Sequence, residues 1–154
     1  AKAFEAECAV HAGAREIDMV INQGAWHEGR AALVEDDIFS VVAAARRSGA
    51  MVKVIFETSA LRDGHALTRE QQIELLCAMA QRVGASFVKT STGFGGGGAT
   101  VADIATMRRS VGSDFGVKAS GGVGTYDIAR QMIEAGATRI GASKTLAILA
   151  GAPA

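Results

Sequence analysis

Three lysines and one aspartate stand at the centres of four short strand-like segments. They are Asp18 in EIDMVIN (16–22), Lys53 in MVKVIFE (51–57), Lys89 in SFVKTS (86–91) and Lys118 in GVKAS (116–120). Side chains alternate across a strand, so Ile17, Met19 and Ile21 share one face, as do Val52, Val54 and Phe56. The opposite faces gather Asp18, Lys53, Lys89 and Lys118. An ionised group in a strand core costs several kcal/mol unless it is paired or its pKa shifts. A structural ion-pair cluster would satisfy that demand. An excess of lysines over carboxylates points instead to amine chemistry.

A lysine attacks a carbonyl only as the neutral amine, and at its ordinary pKa of about 10.4 only about 0.04% is neutral at pH 7. A neighbouring cation together with desolvation lowers such a pKa to about 7 and raises the neutral fraction roughly a thousandfold. Lys89 and Lys118, on neighbouring strands, form such a pair, and Asp18 is placed to move protons as a general acid and base. Spacing alone leaves open which lysine is the nucleophile.

The elements that must position these groups alternate along the chain. Helical periodicity and cap residues predict helices at 2–12, 31–47, 68–82, 100–110 and 125–135, with a last short helix at 143–149. Strands fall at 16–22, 51–57, 86–91, 117–120 and 138–142. Phe4, Cys8 and His11 mark the first helix, and Leu33, Ile38, Val41 and Val42 the apolar side of the second. Thr68 with Gln71 three residues on reads as a capping box. Alternating strands and helices mean βαβ units, a parallel sheet and right-handed crossovers.

An open doubly wound sheet is covered on both faces and reads as apolar runs. A charged inner face suits an α/β barrel, a TIM (β/α) barrel with helices outside, as a single domain over 1–154. Five strands are fewer than the eight of a closed barrel. The expectation is a partial barrel lacking three N-terminal βα units, with an exposed edge that favours a homo-oligomer, a dimer foremost.

Composition narrows the function classes. Of 154 residues 49% are apolar and 21% charged, and the net charge is zero, so nothing points to nucleic acid or a membrane surface. Aromatics make up 5%, too few for a base-stacking platform. No apolar run reaches a membrane span. Cys8 and Cys77, in apolar helical stretches, read as buried reduced thiols of a cytoplasmic protein. His11, His27 and His65 have no carboxylate at ligand spacing, so no metal and no cofactor are expected.

The segment GFGGGG (93–98) matches a dinucleotide-binding pattern. However, the next strand carries Lys118 and no ribose-binding acid, so a loop beside a site is the better reading. Gly121 and Gly122 after the fourth strand, and Gly141 and Ser143 after the fifth, occupy loops where barrels bind phosphate. Exposed backbone N–H groups backed by helix starts at Thr125 and Ser143 would hold an anion.

The segments EIDMVIN, VKVIFET (52–58), FVKTSTGF (87–94), VKASGG (117–122) and AGATRIGAS (135–143) together resemble deoxyribose-phosphate aldolases, in order and over essentially the whole chain. The resemblance implies a class I, Schiff-base aldolase on a TIM barrel. Such an enzyme reversibly cleaves 2-deoxy-D-ribose 5-phosphate to glyceraldehyde 3-phosphate and acetaldehyde without a metal. By motif, Lys89 is the implied nucleophile, Lys118 the partner that lowers its pKa, and Asp18 the acid and base. Lys53 and Thr90 line the site, and Gly121, Gly122, Gly141 and Ser143 hold the phosphate. Where some members have a phosphate-binding lysine this chain has Phe94, and Lys144 could compensate. A catalytically silent phosphate-binding partial barrel is the alternative.

Overall fold

The computed structural model describes residues 1–63 and 66–153; His65 lies outside the described residues. Helix α1 (Lys2–His11) leads into strand β1 (Glu16–Val20). Asn22, expected as the last strand residue, instead caps a short helix, α2 (Gln23–His27), its side chain accepting from Ala25 N–H at 3.1 Å. Asn favours such a cap over a strand interior because its amide can satisfy a free helix N–H. There follow α3 (Ala31–Arg46), β2 (Met51–Ile55), α4 (Arg69–Arg82) and β3 (Phe87–Lys89). The chain continues through α5 (Val101–Val111), β4 (Gly116–Ser120), α6 (Tyr126–Glu134), β5 (Arg139–Gly141) and α7 (Thr145–Ala150). The capping box forms as predicted, with Thr68 accepting from Gln71 N–H at 3.2 Å and Gln71 from Thr68 N–H at 2.9 Å.

All five strands are parallel, and each pairs with the next in sequence, giving the order β1-β2-β3-β4-β5. A doubly wound sheet would reverse its order at a switch point. Consecutive order with right-handed crossovers keeps the helices on one face. The sheet is also curled. Strands lie about 4.8 Å apart, so β1 and β5 would stand roughly 19 Å apart in a flat sheet. Yet Arg139 Nη1 on β5 meets Glu16 Oε2 on β1 at 2.6 Å. The α/β architecture is therefore part of a barrel.

The outer face holds the core. Val52, Val54 and Phe56 pack with Val88, Val117 and Ala119 beneath Ile38, Val41 and Val42 of α3, Ile73, Leu76, Cys77 and Ala80 of α4, and Ile104 and Met107 of α5. Two expectations are corrected. Leu33 is exposed and Val34 takes the buried position in α3. Cys8 is exposed with Phe4 and His11, because α1 packs on α3 through its opposite side, around buried Ala6. Cys77 is buried as expected, and burial pushes its thiol up to about 12, a hydrogen bond with Ser110 opposing this only in part.

Candidate active site

Strand register assembles the charged face. Asp18 stands opposite Lys53 across β1 and β2, and Lys89 opposite Lys118 across β3 and β4. Because the sheet curls, all four meet. Lys53 Nζ donates to Asp18 Oδ1 at 2.8 Å, Lys89 Nζ donates to Asp18 Oδ2 at 2.5 Å, and Lys118 Nζ lies 3.7 Å from the same Oδ2. Lys53 and Lys89 are buried, with 5% and 8% of their side chains exposed, while Asp18 keeps 33%.

Burial alone would raise the Asp18 pKa. Hydrogen bonds from Lys53 and Lys89, with their charges, overcome it and hold the carboxyl down at about 2. The pKa of Lys118 is lowered. Burial is the main cause, the attraction of Asp18 opposes it, and the charges of Lys89 and Lys53 reinforce it. A carboxylate ionised at neutral pH thus faces two closely paired amines, Lys53 and Lys89, and a third, Lys118, whose proton is held less tightly than usual.

Lys89 and Lys118 also line a cleft of about 570 Å³ at the C-terminal ends of the strands. Gly121, Gly122, Gly141 and Ser143 line the same cleft, together with Thr92, Phe94, Ser120 and Lys144. Gly121 has a left-handed φ of 83°, and its carbonyl sits where a Cβ on Gly98 would lie 2.3 Å away. The glycine-rich segment therefore packs backbone to backbone against the Gly121 turn, and Ala99 N–H donates to Gly121 O at 3.0 Å. Gly141 gives room to others: a Cβ there would come within 2.3 Å of Ser120 Oγ and 3.0 Å of Lys118 Cε.

Some expected residues take other places. Thr90 is fully buried and does not line the cleft, its hydroxyl donating to Ser120 O and accepting from Ser120 N–H, both at 3.0 Å. Ser143 does not begin a helix, since α7 starts at Thr145 with Lys144 as its cap residue. Among the described residues no group of three or more His, Cys, Asp or Glu is arranged to hold a metal ion. No helix there is long and apolar enough to cross a membrane.

Ser120 and Glu57 were missed. Ser120 follows Lys118 by the strand period, and its buried hydroxyl lacks a hydrogen-bond partner. Glu57 lies two residues past the end of β2 at a left-handed φ of 53°, and its Oε2 accepts from Thr92 Oγ1 at 2.5 Å and Thr92 N–H at 3.1 Å. It thereby anchors the start of the glycine-rich segment. Its strand parity with Lys53 was a legible signal, but the bend was not.

The sequence matches the DeoC/LacD family of aldolases over residues 1–152. It is 54% identical to the deoxyribose-phosphate aldolase of Streptococcus gordonii over 150 residues, covering 97% of this chain and 64% of that enzyme. The chain thus spans less than two thirds of that relative's length. Among solved structures, an aldolase called QR15 superposes with a TM-score of 0.84 at 35% identity, over 95% of this chain and 62% of that one. The tetrameric deoxyribose phosphate aldolase of Aeropyrum pernix superposes with a TM-score of 0.80 at 31% identity, over 96% and 58%. With its parallel strands, buried lysines and matched family span, the chain belongs to the DeoC/LacD family of aldolases.

Proposed function

We propose that the chain carries the catalytic machinery of a class I aldolase that cleaves 2-deoxy-D-ribose 5-phosphate reversibly to D-glyceraldehyde 3-phosphate and acetaldehyde. One observation supports this most: a single cleft holds the amines of Lys89 and Lys118 together with the glycine turns at 121–122 and 141. An aldehyde at one end of a short substrate and a phosphate at the other need such a cleft.

In this reading Lys89 Nζ first passes a proton to Asp18, directly or by way of Lys118. It attacks the aldehyde carbon of the open-chain sugar, giving a carbinolamine. Asp18, 2.5 Å from that nitrogen, returns a proton to the departing hydroxyl, and the iminium forms. The bond between the second and third carbons breaks as its electron pair moves into the iminium and the third-carbon hydroxyl passes its proton to the Asp18 carboxylate. Glyceraldehyde 3-phosphate leaves, an enamine of acetaldehyde remains on Lys89, and Lys118 supplies the proton to its carbon. Water then releases acetaldehyde.

Backbone N–H groups at Gly121 and Gly122 would hold the phosphate, with Ser143 and the Lys144 ammonium beside them. Lys53 fixes Asp18, and Thr90 ties β3 to β4 beneath the site. A homo-oligomer and a cytoplasmic setting complete the proposal; the charge-neutral chain and its unpaired thiols accord with the latter. Assaying aldehyde release from 2-deoxy-D-ribose 5-phosphate tests the reading. Turnover is expected; phosphate-ester binding without turnover would favour the silent partial barrel.

A further inference from the structure

Beneath Asp18 lies a second carboxylate that the proposed reaction does not use. Glu16 precedes Asp18 by the strand period, so both face the interior. Its Oε2 accepts from Lys53 Nζ at 2.7 Å and from Arg139 Nη1 at 2.6 Å. The Arg139 guanidinium lies 4.5 Å from the centroid of the Phe87 ring. That ring occupies space left by Gly116, where a Cβ would stand 2.2 Å from Phe87 Cδ1. A continuous line of contacts thus runs from Phe87 through Arg139, Glu16 and Lys53 to Asp18 Oδ1.

We propose that Glu16 and Arg139 are positioning residues for the reaction. They fix Lys53 on Asp18 Oδ1, so that Oδ2 alone faces the Lys89 nitrogen. The inference rests on the proposed function. Lys53 has a flexible stem and three donors, and with Glu16 in place two of them are committed to two carboxylates in a fixed direction. Without Glu16 its ammonium is free to reach Oδ2 and compete with Lys89. The interior, where four cations face two carboxylates, would also become more positive. Neither residue lines the cleft that holds the phosphate turns. Their effect should therefore fall on the chemical step and spare substrate binding.

The test compares wild type with Glu16→Gln, Arg139→Lys and the Glu16→Gln/Arg139→Gln double variant. Read out are the rate of borohydride-trapped adduct formation with acetaldehyde, kcat and KM for 2-deoxy-D-ribose 5-phosphate, and thermal unfolding. Glu16→Gln should slow trapping and kcat about 10- to 100-fold while KM stays within about threefold. The double variant should remain slow even if its melting temperature recovers. Arg139→Lys, which keeps the charge but loses the planar fork, should slow trapping about 3- to 10-fold. It decides the matter if Glu16→Gln does not fold.

A Glu16→Gln variant that melts lower yet traps at the wild-type rate would show a structural clasp only. Restored trapping in the double variant, or full-rate trapping by Arg139→Lys, would overturn the role as well. Wild-type protein that forms no adduct would instead overturn the proposed reaction, and the positioning role with it.

Discussion

Asp103 and Asp18 are both tied to basic side chains inside the fold, and they are built oppositely. Asp103 on α5 is 1% exposed, and both its oxygens are taken by one guanidinium, Arg69 Nη1 at 2.5 Å and Nη2 at 2.7 Å. One anion meets one cation in a closed, planar fork, and nothing is left over for a ligand. Asp18 meets three lysines, remains a third open, and touches amines that border a cleft. The lesson is stoichiometric: a balanced pair holds helices together, while an excess of amines around one accessible carboxylate is a store of transferable protons.

The contrast breaks first at Lys89. Lys89→Ala should reduce aldehyde release to background, because among the described residues no other amine both lines the cleft and lies within hydrogen-bonding distance of Asp18. Turnover above one-tenth of wild type would contradict its role. Lys118→Leu should lower kcat about 10²- to 10⁴-fold, the usual contribution of a general acid or base. Lys118→Arg separates charge from proton transfer, since a guanidinium does not release its proton near neutral pH. Activity close to that of Lys118→Leu would assign Lys118 to proton transfer, and wild-type activity would assign it to charge alone.

The balanced pair should respond in the other currency. Arg69→Ala leaves Asp103 buried without its cation and should destabilise the fold by about 3 kcal/mol, the lower end for a broken buried pair because the guanidinium is partly exposed. Equilibrium unfolding in urea would measure it, while trapping by folded protein should be unchanged.

The Asp18 cluster carries a pH signature. Its carboxyl titrates at about 2 in the fold against an ordinary value of 3.8, so its contribution to stability is present above about pH 4 and is lost as pH falls toward 2. Asp18→Asn should lack this dependence, and the stability difference between the two proteins should shrink over that window. The smallest effect concerns thiols. A soluble alkylating reagent at neutral pH should modify exposed Cys8 and leave Cys77 unmodified until the protein unfolds.

Much of this was legible in the residue pattern because strand alternation is strict. Asp18, Lys53, Lys89 and Lys118 needed only the period of two to be placed on one face, and the capping box at Thr68 and Gln71 needed only local chemistry. What depended on curvature or on local backbone bends was hidden. Glu16 and Arg139 are 123 positions apart and meet only because the sheet curls. Glu57 is aimed at Thr92 by a left-handed backbone that no pattern announces. The outward turn of Cys8 was hidden too, because the periodicity of α1 does not say which side meets α3.

The proposed reaction turns on the Lys89 nitrogen, held against Asp18 and beside Lys118, forming a Schiff base. Incubation with acetaldehyde and borohydride, followed by peptide mass mapping, tests it directly. One reductively ethylated lysine is expected, at Lys89, and it should be absent in Lys89→Ala. An adduct on Lys118 or Lys53 with Lys89 unmodified, or no adduct on the wild-type protein, would contradict it.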